Sequence, residues 1–193
     1  MKRDIIVIGA PVGGAAALTQ LVRKLPRDLA AAVFVVLHTA PETPILLADV
    51  LNAPGGLRAA AAMHGESITP SRIYLAVEQK QLILSTGGVQ LSDGNGHVHR
   101  PSIDALFESA AEAYQSRVVG VVLLHVREEG TLGLRAIRRA GGRTVTHNND
   151  LMREPLRDPD TGELLSDDHL VLEQISARLL AYVSGQSGER QSA

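Results

Sequence analysis

The 193-residue sequence has no cysteine and no tryptophan, and aromatic residues make up only 3% of it. Without cysteine there is no disulfide, no thiolate metal site and no cysteine nucleophile. So few aromatic rings also exclude a base-stacking platform for single-stranded nucleic acid. Charge argues the same way. Nineteen basic residues face 21 acidic ones, the formal net charge is −2, and no basic run occurs, so no electrostatic footprint for nucleic acid exists. No apolar run approaches the roughly 18 residues of a membrane-spanning helix. The N-terminal MKRDIIVIGA is too short in its apolar part for a signal-peptide core and reads as a first strand. The expected compartment is the cytoplasm, with no membrane insertion and no nucleic-acid partner.

What is present is an ordinary globular mixture, 45% hydrophobic and 21% charged, which excludes disorder for most of the chain. At roughly 100–200 residues per domain this length holds one domain. It is expected over residues 1–184, with residues 185–193 as a flexible polar tail.

Strand and helix patterns alternate. Ile5–Ile8 is a β-branched run of the kind buried on both sheet faces. It is followed by Gly13-Gly14 and by apolar residues at helical spacing, Leu18, Leu21, Val22 and Leu25, stopped by Pro26. AAAVFVVLH ends a second strand at His38, and Thr43-Pro44 signals the start of a short helix. Leu57–Ala62, Arg72–Val77 and Gln81–Thr86 read as further strands, with Gly87-Gly88 as a turn. Ser102 caps a helix that carries Ile103, Leu106 and Phe107 on one face. Val118–His125 and RTVTH are two more buried strands, separated by a helix closed at Gly141-Gly142. VLEQISARLLAYV is a last amphipathic helix. The expected fold is therefore α/β: a three-layer α/β/α open sheet, mostly parallel and doubly wound, with an antiparallel hairpin near residues 72–92.

In such a sheet ligands sit beyond the carboxyl ends of the strands. Three ends stand out: GAPVGG (Gly9–Gly14), His38 with Thr39, and HVREEG (His125–Gly130). A nucleotide-binding reading fails on detail. The glycine spacing is not G-x-G-x-x-G, no Lys-Ser/Thr follows Gly14, and Pro11 removes an N–H from the turn. A metal reading would join His38, His125 and Glu129, but no H-E-x-x-H occurs and a space-filling His125 is the stronger explanation. No metal and no cofactor are expected. A third reading is nucleophilic ester hydrolysis, with His38 as base and Glu128 or Glu129 as its carboxylate. The nucleophile belongs at the first strand end, where helix N–H groups stabilise an oxyanion, yet Pro11 and Val12 have no hydroxyl. Ser102 and Thr39 are substitute hydroxyls, although Ser102 is most economically an N-cap. Arg100 is either a guanidinium for an anion or a loop ion-pair partner.

The pattern resembles the catalytic domain of the CheB family, the chemotaxis protein-glutamate methylesterases. The family's G-A-S-T-G-G stands as GAPVGG, its Q-H-M-P as LHTAP, and its N-G-H-R-P-S-V-D as GHVHRPSID, so that His99, Arg100, Pro101, Ser102 and Asp104 match. Its T-G-M-G-x-D-G-A-x-G-L stands as LHVREEGTLGL, with Gly130, Gly133 and Leu134 matching. The resemblance runs from Ile5 to about Leu180. It implies a Ser-His-Asp hydrolase that removes methyl groups from glutamyl esters of chemoreceptors and deamidates glutamines. Carried over residue by residue, His38 is the base, Glu129 replaces the aspartate, Pro11 replaces the nucleophilic serine and Val12 the neighbouring threonine. Val126 replaces a methionine, and His125 and Arg127 replace its flanking glycines. Val12, Gly13, Gly14, Thr39, Arg100, Ser102, His125 and Val126 would line the pocket. The segment 150–168 lacks the family's Met-Pro and alanine-rich helix, and no receiver domain is expected ahead of the match.

Losing a triad serine costs about 10⁶ in kcat, leaving roughly 10³–10⁴ over water. An Asp-to-Glu exchange moves the carboxylate by about 1.5 Å, where a 1 Å misplacement already costs on the order of 100-fold. The expectation is a catalytically inactive or weak domain that acts as a binding or scaffold module, its partner a chemoreceptor helix or another signalling protein. The alternative is an active ester hydrolase, methylesterase or glutamine deamidase, that uses another nucleophile.

Overall fold

Runs of β-branched residues with no polar alternation dictate strands covered on both faces, and the centre of the sheet is built from them. The computed structural model describes residues 2–38, 47–52, 56–93, 101–124, 129–149 and 153–186. Strand β1 (Ile5–Ala10) is buried throughout. It lies between β2 (Ala32–Leu37) and β7 (Val118–Val122), parallel to both. The sheet has seven strands in the order β3-β4-β2-β1-β7-β8-β9, where β3 is Arg58–Ala61, β4 Arg72–Leu75, β8 Arg143–His147 and β9 Asp168–Leu170. Every pairing in it is parallel.

The helices divide between the two faces. On one, α1 (Ala15–Arg23), α2 (Leu47–Leu51) and α5 (Leu172–Val183) bury Leu18, Leu21, Leu51, Ile175 and Leu179 against Ile6, Ile8, Val33 and Val121. On the other, α3 (Ile103–Tyr114) and α4 (Thr131–Arg139) bury Leu106, Phe107, Leu134 and Ile137 against Val7, Phe34 and Val122. The expected three-layer, doubly wound α/β architecture is the one observed.

The antiparallel pair is narrower than the span 72–92. It comprises β5 (Gln81–Ser85) and β6 (Gly88–Ser92), turning through Gly87 at φ +82°. The first part of the span, β4, joins the main sheet instead, between β2 and β3. Burial explains the difference: Ile73 and Leu75 enter one core and Tyr74 the other, so β4 is covered on both sides like its parallel neighbours. Strand β9 has no counterpart in the sequence reading. It is three half-buried residues in a polar stretch, fixed by the Asp167 carboxylate, which accepts hydrogen bonds from the Thr144 backbone N–H (2.9 Å) and hydroxyl (3.2 Å). The sheet edge at β3 is also closed locally. The Asn52 side chain donates to the Ala59 carbonyl (2.9 Å) and accepts from the Ala59 N–H (2.8 Å).

Helices α3 and α4 pack closely because Gly133 has no side chain. A Cβ there would lie 2.4 Å from Phe107 Cβ, an atom rooted in the backbone that cannot swing aside. Alanine gains about 1 kcal/mol of helix propensity over glycine, but overpacking of this kind costs about 1–3 kcal/mol, so the clash prevails. Because a 2.4 Å contact with a backbone-rooted atom lies at the severe end of that range, Gly133→Ala is expected to lower stability by up to about 2 kcal/mol in urea unfolding, and an unchanged or higher midpoint would contradict this packing.

His147, at the end of β8, is 6% exposed. Burial holds its imidazole below the usual range, His169 adds to the effect and Glu173 opposes it. The unfolded chain takes up this proton near pH 6.5 and the folded chain does so only at lower pH. Stability conferred by the neutral ring is therefore present above about pH 6.5 and lost as pH falls below it, with a limiting slope of about 1.4 kcal/mol per pH unit. Unfolding curves from pH 7.5 to 5 are expected to fall less steeply in His147→Gln than in the unmodified chain; parallel curves would remove His147 as the cause.

Candidate active site

The strand order reverses between β1 and β7. From β1 the chain passes to α1 on one face, and from β7 to α4 on the other, so the connections diverge and open a crevice at the carboxyl ends. Two ladder bonds set its floor. The His38 N–H donates to the Ala10 carbonyl (2.9 Å) and the Leu123 N–H to the Gly9 carbonyl (2.9 Å). They align the ends of β2, β1 and β7.

At the end of β1, Pro11 is buried. Its carbonyl accepts from the Gly14 N–H at 3.0 Å, closing a turn whose third residue, Gly13, has φ +93°. That left-handed value suits glycine. Gly14 begins α1, and a Cβ on it would meet Ala10 Cβ at 2.7 Å. Val12, at the tip of the turn, is 56% exposed. The turn is thus closed by its own backbone, and none of its side chains offers an oxygen or sulfur for attack.

His38 is 4% exposed. Its Nδ1 lies 3.1 Å from Glu129 Oε1, a separation within ion-pair reach but not aligned as a hydrogen bond. Its Nε2 lies 2.8 Å from the carbonyl oxygen of Pro101. A carbonyl only accepts, so Nε2 carries the hydrogen. In a serine triad that atom must accept the proton of the nucleophile. Among the described residues no hydroxyl hydrogen-bonds to this ring.

The segment Pro101–Asp104 organises the surroundings. The Ser102 hydroxyl accepts from the Ala105 N–H (3.2 Å) as N-cap of α3, and the Ser102 N–H donates to Gln81 Oε1 (2.7 Å). Ser102 thus serves as a cap rather than as a partner of His38. Ile103 packs over Gly9, where a Cβ would come within 2.4 Å of Ile103 Cγ2. Asp104 accepts from the Gly133 N–H (2.7 Å) and the Gly130 N–H (3.3 Å). Gly130 is the N-cap of α4, with φ +84° and no side chain to cap with, and Asp104 supplies that function from the neighbouring helix. It thereby holds the turn that bears Glu129.

The structure brings together His38, Glu129, Pro11 and the Gly13-Gly14 turn, with Ser102 close by in chain but engaged elsewhere. Thr39, Arg100, His125 and Val126 lie outside the described residues, as do His99, Arg127 and Glu128. The metal alternative is unplaced for the same reason, since it needs His125. Among the described residues no group of three or more histidines and carboxylates is arranged to hold a metal ion. The sequence reading did not assign the positioning contacts of Asp104, Gln81 and the Pro101 carbonyl. Only Asp104 left a signal: an acid in the first turn of one helix, paired with a second helix that opens on a capless glycine.

Residues 6–152 match the model of the CheB methylesterase family. A protein-glutamate methylesterase/protein-glutamine glutaminase of Anaeromyxobacter dehalogenans is 37% identical over 146 residues, covering 75% of this chain and 43% of the relative. One from Myxococcus xanthus is 37% identical over 151 residues, 76% of this chain and 43% of the relative. The chain therefore spans less than half the length of these relatives. The CheB methylesterase catalytic domain of Thermotoga maritima superposes with a TM-score of 0.77 at 24% identity, covering 93% of this chain and 98% of that one, which supports the fold. By sequence match, and in keeping with its sheet and crevice, the chain belongs to the CheB methylesterase family.

Proposed function

We propose that this CheB-type domain does not hydrolyse glutamyl methyl esters by a serine mechanism, and that it serves chemotaxis-type signalling in the cytoplasm as a binding or scaffold module. Its partner is a chemoreceptor helix or another signalling protein. One observation supports this above others: Pro11 stands at the family's nucleophile position while His38 Nε2–H is committed to the Pro101 carbonyl. Among the described residues the pocket offers neither an attacking atom in hydrogen-bond contact with the ring nor a free proton acceptor at the nitrogen that would face it. Without the serine the loss is about 10⁶ in kcat, far more than the Asp-to-Glu exchange alone would cost. Among the described residues no helix is long and apolar enough to cross a membrane.

A second reading is favoured by the His38–Glu129 pair, kept at 3.1 Å. In it the domain remains an ester hydrolase or glutamine deamidase with a different nucleophile, such as Ser102 or Thr39.

Methanol release from methylated receptor discriminates between the two. The unmodified chain is expected to give no release above background and no labelling by a fluorophosphonate probe. Labelling that Ser102→Ala or Thr39→Ala abolishes would overturn the proposal. Restoring the missing atom has a calculable limit. Pro11→Ser with Glu129→Asp supplies the hydroxyl and shortens the carboxylate, but the ring must still leave the Pro101 carbonyl, and a buried acceptor left unsatisfied costs about 1–3 kcal/mol, or about 5–150-fold. The double variant is expected to hydrolyse methyl ester at least tenfold faster than the unmodified chain yet remain well below an active family member.

A further inference from the structure

Away from the crevice, a cleft of about 660 Å³ lies along the β3 edge, lined among others by Arg27, Arg58, Arg72, Asn52, Leu57 and Ala60. Its size falls within the range of small-ligand pockets, about 300–1,000 Å³. Among the described residues three guanidinium groups line it and no carboxylate does, in a chain whose acidic residues outnumber the basic ones.

The three arginines are not equivalent. Arg72 is anchored: its Nη2 lies 2.8 Å from Glu66 Oε2, and its guanidinium sits 4.6 Å from the Tyr74 ring centroid. Arg27 and Arg58 are exposed and have no hydrogen-bond or ion-pair partner among the described residues. Moreover, Arg58 and Arg72 are register partners on adjacent strands. Like charges in that relation repel, a cost that nothing described within the cleft offsets beyond the single Glu66. Counting Glu66 against the three arginines leaves two uncompensated positive charges, each on a planar fork suited to bidentate oxygen anions.

We propose that this cleft binds a small molecule carrying a multiply charged phosphoryl group, held by Arg27 and Arg58 with Arg72 as the fixed third cation. A dianionic phosphoryl group matches the uncompensated charge. The apolar lining from Leu57 and Ala60 leaves room for the remainder of a ligand larger than bare phosphate. The site is independent of whether the His38 crevice is catalytic.

The test is isothermal titration calorimetry of the full chain at constant ionic strength, with inorganic pyrophosphate and ADP as the free and esterified phosphoryl probes and citrate as a carboxylate probe. Saturable one-to-one binding of either phosphoryl probe is expected. Arg58→Gln and Arg27→Gln should each weaken it at least tenfold with unchanged circular dichroism, because both side chains are exposed and unpaired. Arg58→Lys, which keeps charge but loses the fork, should weaken it several-fold. Arg139→Gln, on α4 outside the cleft, should leave it unchanged. The proposal is overturned by the absence of saturable binding up to about 10 mM, which corresponds to less than 3 kcal/mol. It is likewise overturned by equal losses in Arg58→Gln and Arg139→Gln, or by citrate binding as tightly as pyrophosphate.

Discussion

The hydrogen bond from His38 Nε2 to the Pro101 carbonyl, 2.8 Å long and buried, is the contact on which the arrangement of the crevice turns. It joins the end of β2 to the residue that precedes the α3 cap, two parts of the chain 63 positions apart. It also sets the protonation pattern of the ring, because its acceptor has no hydrogen to give. With Nε2 as a donor, Nδ1 is left 3.1 Å from Glu129 without an aligned hydrogen bond, and the histidine is tied to the α3 side of the crevice. An imidazole selected for catalysis has to keep one nitrogen open toward the reacting group. Here Nε2 is directed at a protein acceptor.

The frame around this histidine rests on close approach. Gly9 admits Ile103, Gly133 admits Phe107, and Gly120 leaves space beside Ile137. These three glycines seat α3 and α4 against the sheet and against each other. Asp104 then bonds the two helices end to end, replacing the cap that Gly130 does not have.

Much of the fold was legible in the sequence because its governing signals are local. The β-branched runs at Ile5–Ile8 and Val118–Val122, the Ser102 cap and the Gly141-Gly142 stop each declare an element within a few residues. What escaped depends on partners distant in sequence. Arg72–Leu75 looks like half of a hairpin with the strand that follows, and only the two cores that receive Ile73 and Tyr74 assign it to the parallel sheet. Strand β9 is polar and three residues long, and its cause is Asp167 gripping Thr144 from 23 positions away. For the candidate site, strand ends and family pattern name Pro11, His38 and Glu129, and the structure places His38 beside Glu129. Its wiring was not legible, because the decisive partner of His38 is a backbone carbonyl, a group every residue possesses and no side-chain pattern announces.

Asn52 offers a last consequence. An outermost strand in a parallel sheet presents open amide and carbonyl groups to any passing extended chain. By clasping both polar groups of Ala59, one short carboxamide does there what a whole neighbouring strand would otherwise do. Strand-by-strand growth into polymers meets a stopper at that border, and the molecule keeps the other groups lining the β3 border available for small solutes rather than for copies of itself.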